Sequence, residues 1–122
     1  MTGFQKQKPG VHFSFQTNVV TSRYDSIVEI NLYRIVQEAI TNSLKHADPK
    51  QIKVKLNDTR EEVELIIHDD GRGFDITHHQ DGLGLQHIQE RASTIHADAS
   101  ITSHPNKGTE IQIRWLKKGA LE

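Results

Sequence analysis

The sequence predicts an α+β fold: a two-layer sandwich in which a mixed, mostly antiparallel sheet carries helices on one face only. Three observations predict it. Five short runs alternate apolar and polar residues at the period of a strand. Two other stretches repeat apolar residues at the period of a helix. Each strand has one apolar face and one polar or charged face, so only one side of the sheet has anything to bury.

The elements follow in chain order. "VHFSFQ" (11–16) sets Val11, Phe13 and Phe15 against His12, Ser14 and Gln16, the pattern of a half-buried strand. Residues 17–25 are polar and read as a loop. Then Leu32, Ile35, Val36, Ala39, Ile40, Leu44 and Ala47 recur at helical spacing with Ser43 on the same face. Asp25 or Ser26 supplies the N-cap, and Pro49 forbids continuation. "QIKVKLN" (51–57) and "EVELIIHD" (62–69) form a hairpin through "NDTRE", with Ile52, Val54, Leu56, Val63, Leu65 and Ile67 on one side. Antiparallel pairing would set Lys53 and Lys55 across from Glu62 and Glu64 on the wet face.

Residues 70–84 are punctuated by glycine and show no period. A second helix places Leu85, Ile88, Ala92 and Ile95 on one face. "ASITS" (99–103) and "TEIQIRW" (109–115) close the chain around the turn "HPNKG", with Ile111, Ile113 and Trp115 inward. Phe13, Phe15 and Trp115 are expected in the core. Residues 1–10 are expected to be a disordered or appended segment, and 11–118 one domain.

Composition narrows the functions open to such a domain. The 122 residues suffice for one hydrophobic core. A formal net charge of −1 offers no positive field for a phosphate backbone, so no nucleic-acid partner is expected. Without cysteine, neither disulfides nor thiolate metal sites exist. No apolar run approaches the roughly 18–20 residues that cross a bilayer, and the polar N-terminus lacks a signal peptide's apolar segment. A cytoplasmic domain without membrane contact of its own is expected.

Three motifs carry the chemistry. In "QEAITNSLKHA" (37–47), Glu38 and Asn42 stand one turn apart on the helix. A solvated helix face would look much the same. Asn, however, is a poor helix former, and a carboxamide near a carboxylate suits hydrated Mg²⁺, which takes few protein ligands. In "DDGRGFD" (69–75), Asp69 ends a strand. Gly71 and Gly73 go further than a turn requires and let something flat approach the backbone. A fixed carboxylate there can accept from an exocyclic amino group, which adenine has and guanine lacks at that place. "DGLGLQHIQERA" (81–92) is a glycine-rich loop opening a helix, where unpaired amides and the helix dipole attract phosphates. A dinucleotide G-x-G-x-x-G is absent, because its third glycine position is His87.

In that order on one sheet, the three motifs resemble the ATP-binding fold, the Bergerat type, shared by gyrase, heat-shock chaperones, sensor histidine kinases and mismatch-repair ATPases. The wording "EAITNSLKHA" is most similar to the catalytic domain of two-component sensor histidine kinases, in the subgroup paired with helix-turn-helix response regulators. The resemblance covers residues 28–116. It implies ATP and Mg²⁺ as ligands, with Asn42 on the metal and Glu38 polarising near the metal and γ-phosphate. Lys45 and His46 would neutralise phosphate charge. Asp69 would take adenine's amino group, Gly71 and Gly73 would give the base room, and Thr109 would stand near the base. Gly82, Leu83, Gly84 and Leu85 would wrap the phosphates, and Phe74–Asp81 would be a short lid.

The same resemblance implies phosphoryl transfer to a histidine on a separate dimerisation domain, and from there indirectly to a response regulator. No histidine here stands on a long helix upstream of Glu38. A fragment that binds ATP without autophosphorylating is expected, monomeric alone and dimeric in its parent; a membrane-anchored and a soluble parent are both open. A stand-alone serine kinase of the anti-sigma-factor type and a non-catalytic nucleotide sensor remain as alternatives. His78-His79 raises a zinc reading, but no second cluster completes a coordination sphere.

Overall fold

The computed structural model describes residues 10–19, 24–73 and 85–117. Strand β1 is His12–Thr17, helix α1 Ser26–Asn42, β2 Gln51–Asp58, β3 Glu62–Asp69, α2 Leu85–Thr94, β4 Asp98–Ser103 and β5 Thr109–Leu116. The strands form one sheet in the order β1-β2-β3-β5-β4. Only the β1–β2 pair is parallel. That follows from the connection: β1 reaches β2 through α1, and parallel neighbours need such a crossover, whereas hairpins join the antiparallel pairs β2–β3 and β4–β5.

The core lies between the sheet and the two helices. Ile35 and Ile40 of α1, Ile88 of α2, and Ile52, Val63 and Ile113 of the sheet are almost fully enclosed. Each such side chain stabilises the fold by about 1.5–3 kcal/mol relative to its exposed state. Asp25 caps α1 with its backbone: its carbonyl accepts from Val28 N and Glu29 N at 2.9 and 3.0 Å, with no side-chain cap bond. After Asn42 the helix widens into a π turn, Ser43–Ala47. Such widened turns occur often at functional sites. Asp48 then takes a left-handed conformation (φ 48°) ahead of Pro49 and ends the helix.

Two expectations need correction. Lys53 and Lys55 do not face Glu62 and Glu64; Lys53 lies opposite His68, Lys55 opposite Ile66, and Glu64 opposite Asn57. The turn sets this register, since Thr59 N donates to Glu62 O at 2.9 Å and closes the hairpin tightly. The glutamates instead serve β5: Arg114 binds Glu62 through two nitrogens at 2.9 Å each, and Gln112 donates to Glu64. Phe15 is not core either, being 52% exposed. It sits on an edge strand paired only with β2 and lines an apolar hollow between β1 and α1. Phe13 and Trp115 are part-buried against the core, and Trp115 meets Tyr24 edge-on with centroids 5.6 Å apart. Among the described residues no helix is long and apolar enough to cross a membrane.

Candidate functional site

The apolar face of the sheet ends in a polar row. Strand register sets Asp69 of β3 opposite Thr109 of β5, and Thr109 opposite Ser103 of β4. Directly opposed residues share a face, so these three stand in line where the core stops, and all are buried. Beside them opens a cleft of about 270 Å³, whose walls include Asn42, Ser43 and His46 from the end of α1 and its π turn, and Leu85 from α2. Whole-ligand pockets run to about 300–1,000 Å³, so this one has room for a ring system more than for an entire nucleotide.

Asp69 sets the cleft's electrostatics. It is only 8% exposed. Burial holds its carboxyl above the usual carboxylate range, because a charge loses its water there, against the opposing pull of Gly71 N–H and Ser43. Gly71 N donates to Asp69 Oδ1 at 2.9 Å and fixes that oxygen. Ser43 Oγ is buried close by without completing a hydrogen bond of normal geometry, and Asn42 Nδ2 is likewise buried without a partner among the described residues. Buried polar atoms are nearly always satisfied. An unpartnered amide nitrogen, a loosely held hydroxyl and a desolvated carboxylate around one hollow suit a polar ligand. Among the described residues no group of three His, Cys, Asp or Glu side chains could hold a metal ion. A metal here would rest on one carboxamide, the ligand and water, a donor set that fits Mg²⁺.

The glycines also serve the packing of the fold itself. A Cβ on Gly71 would lie 2.6 Å from Ala47 Cβ and closer still to its carbonyl oxygen, so the space at Gly71 is filled by the π turn. There Arg72 N donates to Ala47 O at 2.8 Å. A Cβ on Gly73, which sits at φ 64° and borders the cleft, would press on the His104 and Gly108 carbonyls. These glycines let protein backbone approach protein backbone, which braces the cleft. The turn after β4 completes the brace: Asn106 N donates to Arg72 O. Asp70, beside Asp69, is a structural clamp whose Oδ1 accepts from Lys50 N and Gln51 N at 2.8 and 2.9 Å.

Of the remaining expected residues, His46 borders the cleft, whereas Lys45 is exposed and outside its lining. Glu38 is also outside the lining; its Oε1 lies 3.4 Å from His87 Nδ1 of α2. Gly82, Leu83, Gly84, the lid Phe74–Asp81 with His78 and His79, and residues 1–9 lie outside the described residues. Sequence reasoning missed Ser43, Asp70 and Ser103. Ser103 has a legible signal in hindsight, a hydroxyl at an inward position of an alternating strand.

Residues 27–119 match the family of histidine kinase-, DNA gyrase B- and HSP90-like ATPases. The chain belongs to that family. Over 109 residues it is 34% identical to the signal transduction histidine-protein kinase/phosphatase DegS of Brevibacillus brevis, spanning 88% of this chain and 28% of that protein. Its fold is that of the ATP-binding domain of PrrB from Mycobacterium tuberculosis, with TM-score 0.74 and 22% identity over 97% of this chain and 88% of that one. A histidine kinase domain from a blue-light activated kinase of Erythrobacter litoralis superposes with TM-score 0.73 at 20% identity, covering 93% of this chain and 56% of that one. The α+β fold and the histidine-kinase kind of ATP-binding catalytic module expected from the sequence both agree with these relatives. The chain spans little more than a quarter of the curated relative's length.

Proposed function

We propose that this ATPase-family domain binds Mg-ATP with its adenine in the cleft at Asp69 and donates the γ-phosphoryl group to a histidine on a separate helical dimerisation domain. The observation that carries the base assignment is the desolvated Asp69 carboxylate, held by Gly71 N–H and facing a hollow of base size. A carboxylate is acceptor-only, so it favours a ring bearing an amino group over one bearing a carbonyl.

The remaining roles are those that the family resemblance implies. Asn42 would hold Mg²⁺, which would supply positive charge against that of the triphosphate. Glu38, on the same helix, would orient the reacting groups, with His46 and Lys45 lending positive charge at the helix end. Leu85 starts α2, and Gly82, Leu83 and Gly84 before it would bring amides to the phosphates. Thr109 and Gly73 would border the base. Phosphoryl transfer asks mainly for charge neutralisation and in-line placement, and these residues supply both kinds of group. In the parent kinase the phosphoryl group would pass from histidine to a response regulator, and the helical domain would make the dimer. The domain would work in the cytoplasm.

Thermal shift tests the reading. ATP and ADP with Mg²⁺ should stabilise the chain, GTP should not, and Asn42→Ala should remove the Mg²⁺-dependent part of the shift. Equal shifts with GTP would overturn the base assignment. Mixing with a separately made histidine hairpin should give acid-labile label; acid-stable label would mean a serine acceptor.

A further inference from the structure

We infer that Ser103, which lies outside the cleft lining, positions the Thr109 hydroxyl as a hydrogen-bond acceptor and so selects ligands carrying an amino group. The inference rests on the nucleotide reading above and extends it to a residue one strand removed from the cleft.

Ser103 Oγ lies 3.1 Å from the Gly108 carbonyl oxygen and 2.7 Å from Thr109 Oγ1, and both Ser103 and Thr109 are buried. A carbonyl oxygen only accepts, so the Ser103–Gly108 bond uses the Ser103 proton. Each hydroxyl has one proton. With the Ser103 proton on that carbonyl, the short Ser103–Thr109 contact takes the proton of Thr109. Thr109 Oγ1 is left with lone pairs alone toward the cleft that it lines.

Gly108 anchors this relay. Its φ of 85° is one that L side chains rarely adopt, and an added Cβ would press on the Asp69 carbonyl oxygen. The carbonyl that receives the Ser103 proton is thus fixed by a backbone that also touches Asp69. The result is two acceptors side by side: the Asp69 carboxylate and the Thr109 hydroxyl, directly opposed across β3 and β5. One acceptor would suit many groups. A pair suits an exocyclic amino group with two N–H bonds, met directly or through a bridging water.

Calorimetric titration of this chain with two Mg²⁺ complexes tests the idea: ATP, and purine riboside triphosphate, which lacks the amino group. Ser103→Ala should weaken ATP about fivefold, the worth of one reoriented hydrogen bond, and change the purine analogue less than twofold. Ser103→Thr should restore ATP binding. Thr109→Val should show the same selective loss, and the double variant Ser103→Ala/Thr109→Val should bind ATP no worse than Thr109→Val alone. Equal losses for both nucleotides would mark Ser103 as merely structural and overturn the inference, as would an unchanged Ser103→Ala. Wild-type chain that binds neither nucleotide would overturn the nucleotide reading as well, whereas wild type that binds ATP with unselective variants would overturn the relay alone.

Discussion

Replacing Asp69 by Asn separates what this residue costs the fold from what it gives the ligand. Asn keeps the size and can still accept Gly71 N–H through Oδ1, the bond that measures 2.9 Å here. Its amide nitrogen then takes the place of the second carboxylate oxygen and turns an acceptor into a donor. Facing an amino group, a donor loses the bond and adds a repulsion. Hydrogen bonds to charged groups contribute about 1.5–3 kcal/mol, so ATP affinity should fall about 10- to 150-fold. Stability should move the other way. Burial raises the Asp69 carboxyl above its ordinary value, so the folded chain holds that proton more tightly than the unfolded chain. The contribution of this group is therefore complete below the ordinary carboxylate range and is lost as pH rises through the raised value. At pH 7 the charged side chain is a liability. Asp69→Asn should unfold at higher urea at pH 7, by on the order of 1 kcal/mol given the partial compensation from Gly71 and Ser43, with the gap closing toward pH 3. Urea melts at both pH values and ATP titration make the assay. A variant less stable than wild type at pH 7, or one retaining full ATP affinity, would refute the reasoning.

Three other outcomes are expected. Gly71→Ala should destabilise by about 1–3 kcal/mol, the range for overpacking, because the methyl meets Ala47 backbone that has nowhere to go; urea unfolding would show it, and ATP affinity should fall with the displaced π turn. Asp70→Ala should cost about 1 kcal/mol or less, since the group is largely exposed. Burial pushes the Asp70 carboxyl up, but the amides of Gln51, Lys50 and Asp70 itself, with His68, leave it below the ordinary range. Its contribution should therefore be present above the ordinary carboxylate range and vanish as acid titration passes its lowered value. Arg114→Glu should lower the melting temperature, most at low salt, because Arg114 joins Glu62 and lies opposite Glu64, while Lys55→Glu, facing Ile66, should barely change it.

What the sequence revealed was what is local. Alternation gave the inward faces of β2, β3 and β5, and helical spacing found Ile35, Ala39, Ile40, Ile88 and Ala92, all buried. Asp69 could be singled out because a carboxylate closing an apolar strand is conspicuous. What stayed hidden was relational. Alternation fixes which face a lysine takes but not its partner, so Lys53 and Lys55 were matched to the wrong strand positions. Phe15 alternates like a core residue, yet burial depends on what lies above an edge strand. The room at Gly71 is occupied by Ala47, 24 positions earlier, and the Ser103 contact depends on a turn whose closure no periodicity encodes.

The cleft floor is cross-stitched from pieces far apart along the chain: Gly71 against Ala47, Gly73 against His104, and Gly108 against Asp69. No segment holds a partial version of the seat, so its affinity is all-or-none with respect to assembly. Nucleotide binding should therefore report the integrity of the whole sheet, and a fragment lacking either side of any of these contacts should lose the ligand.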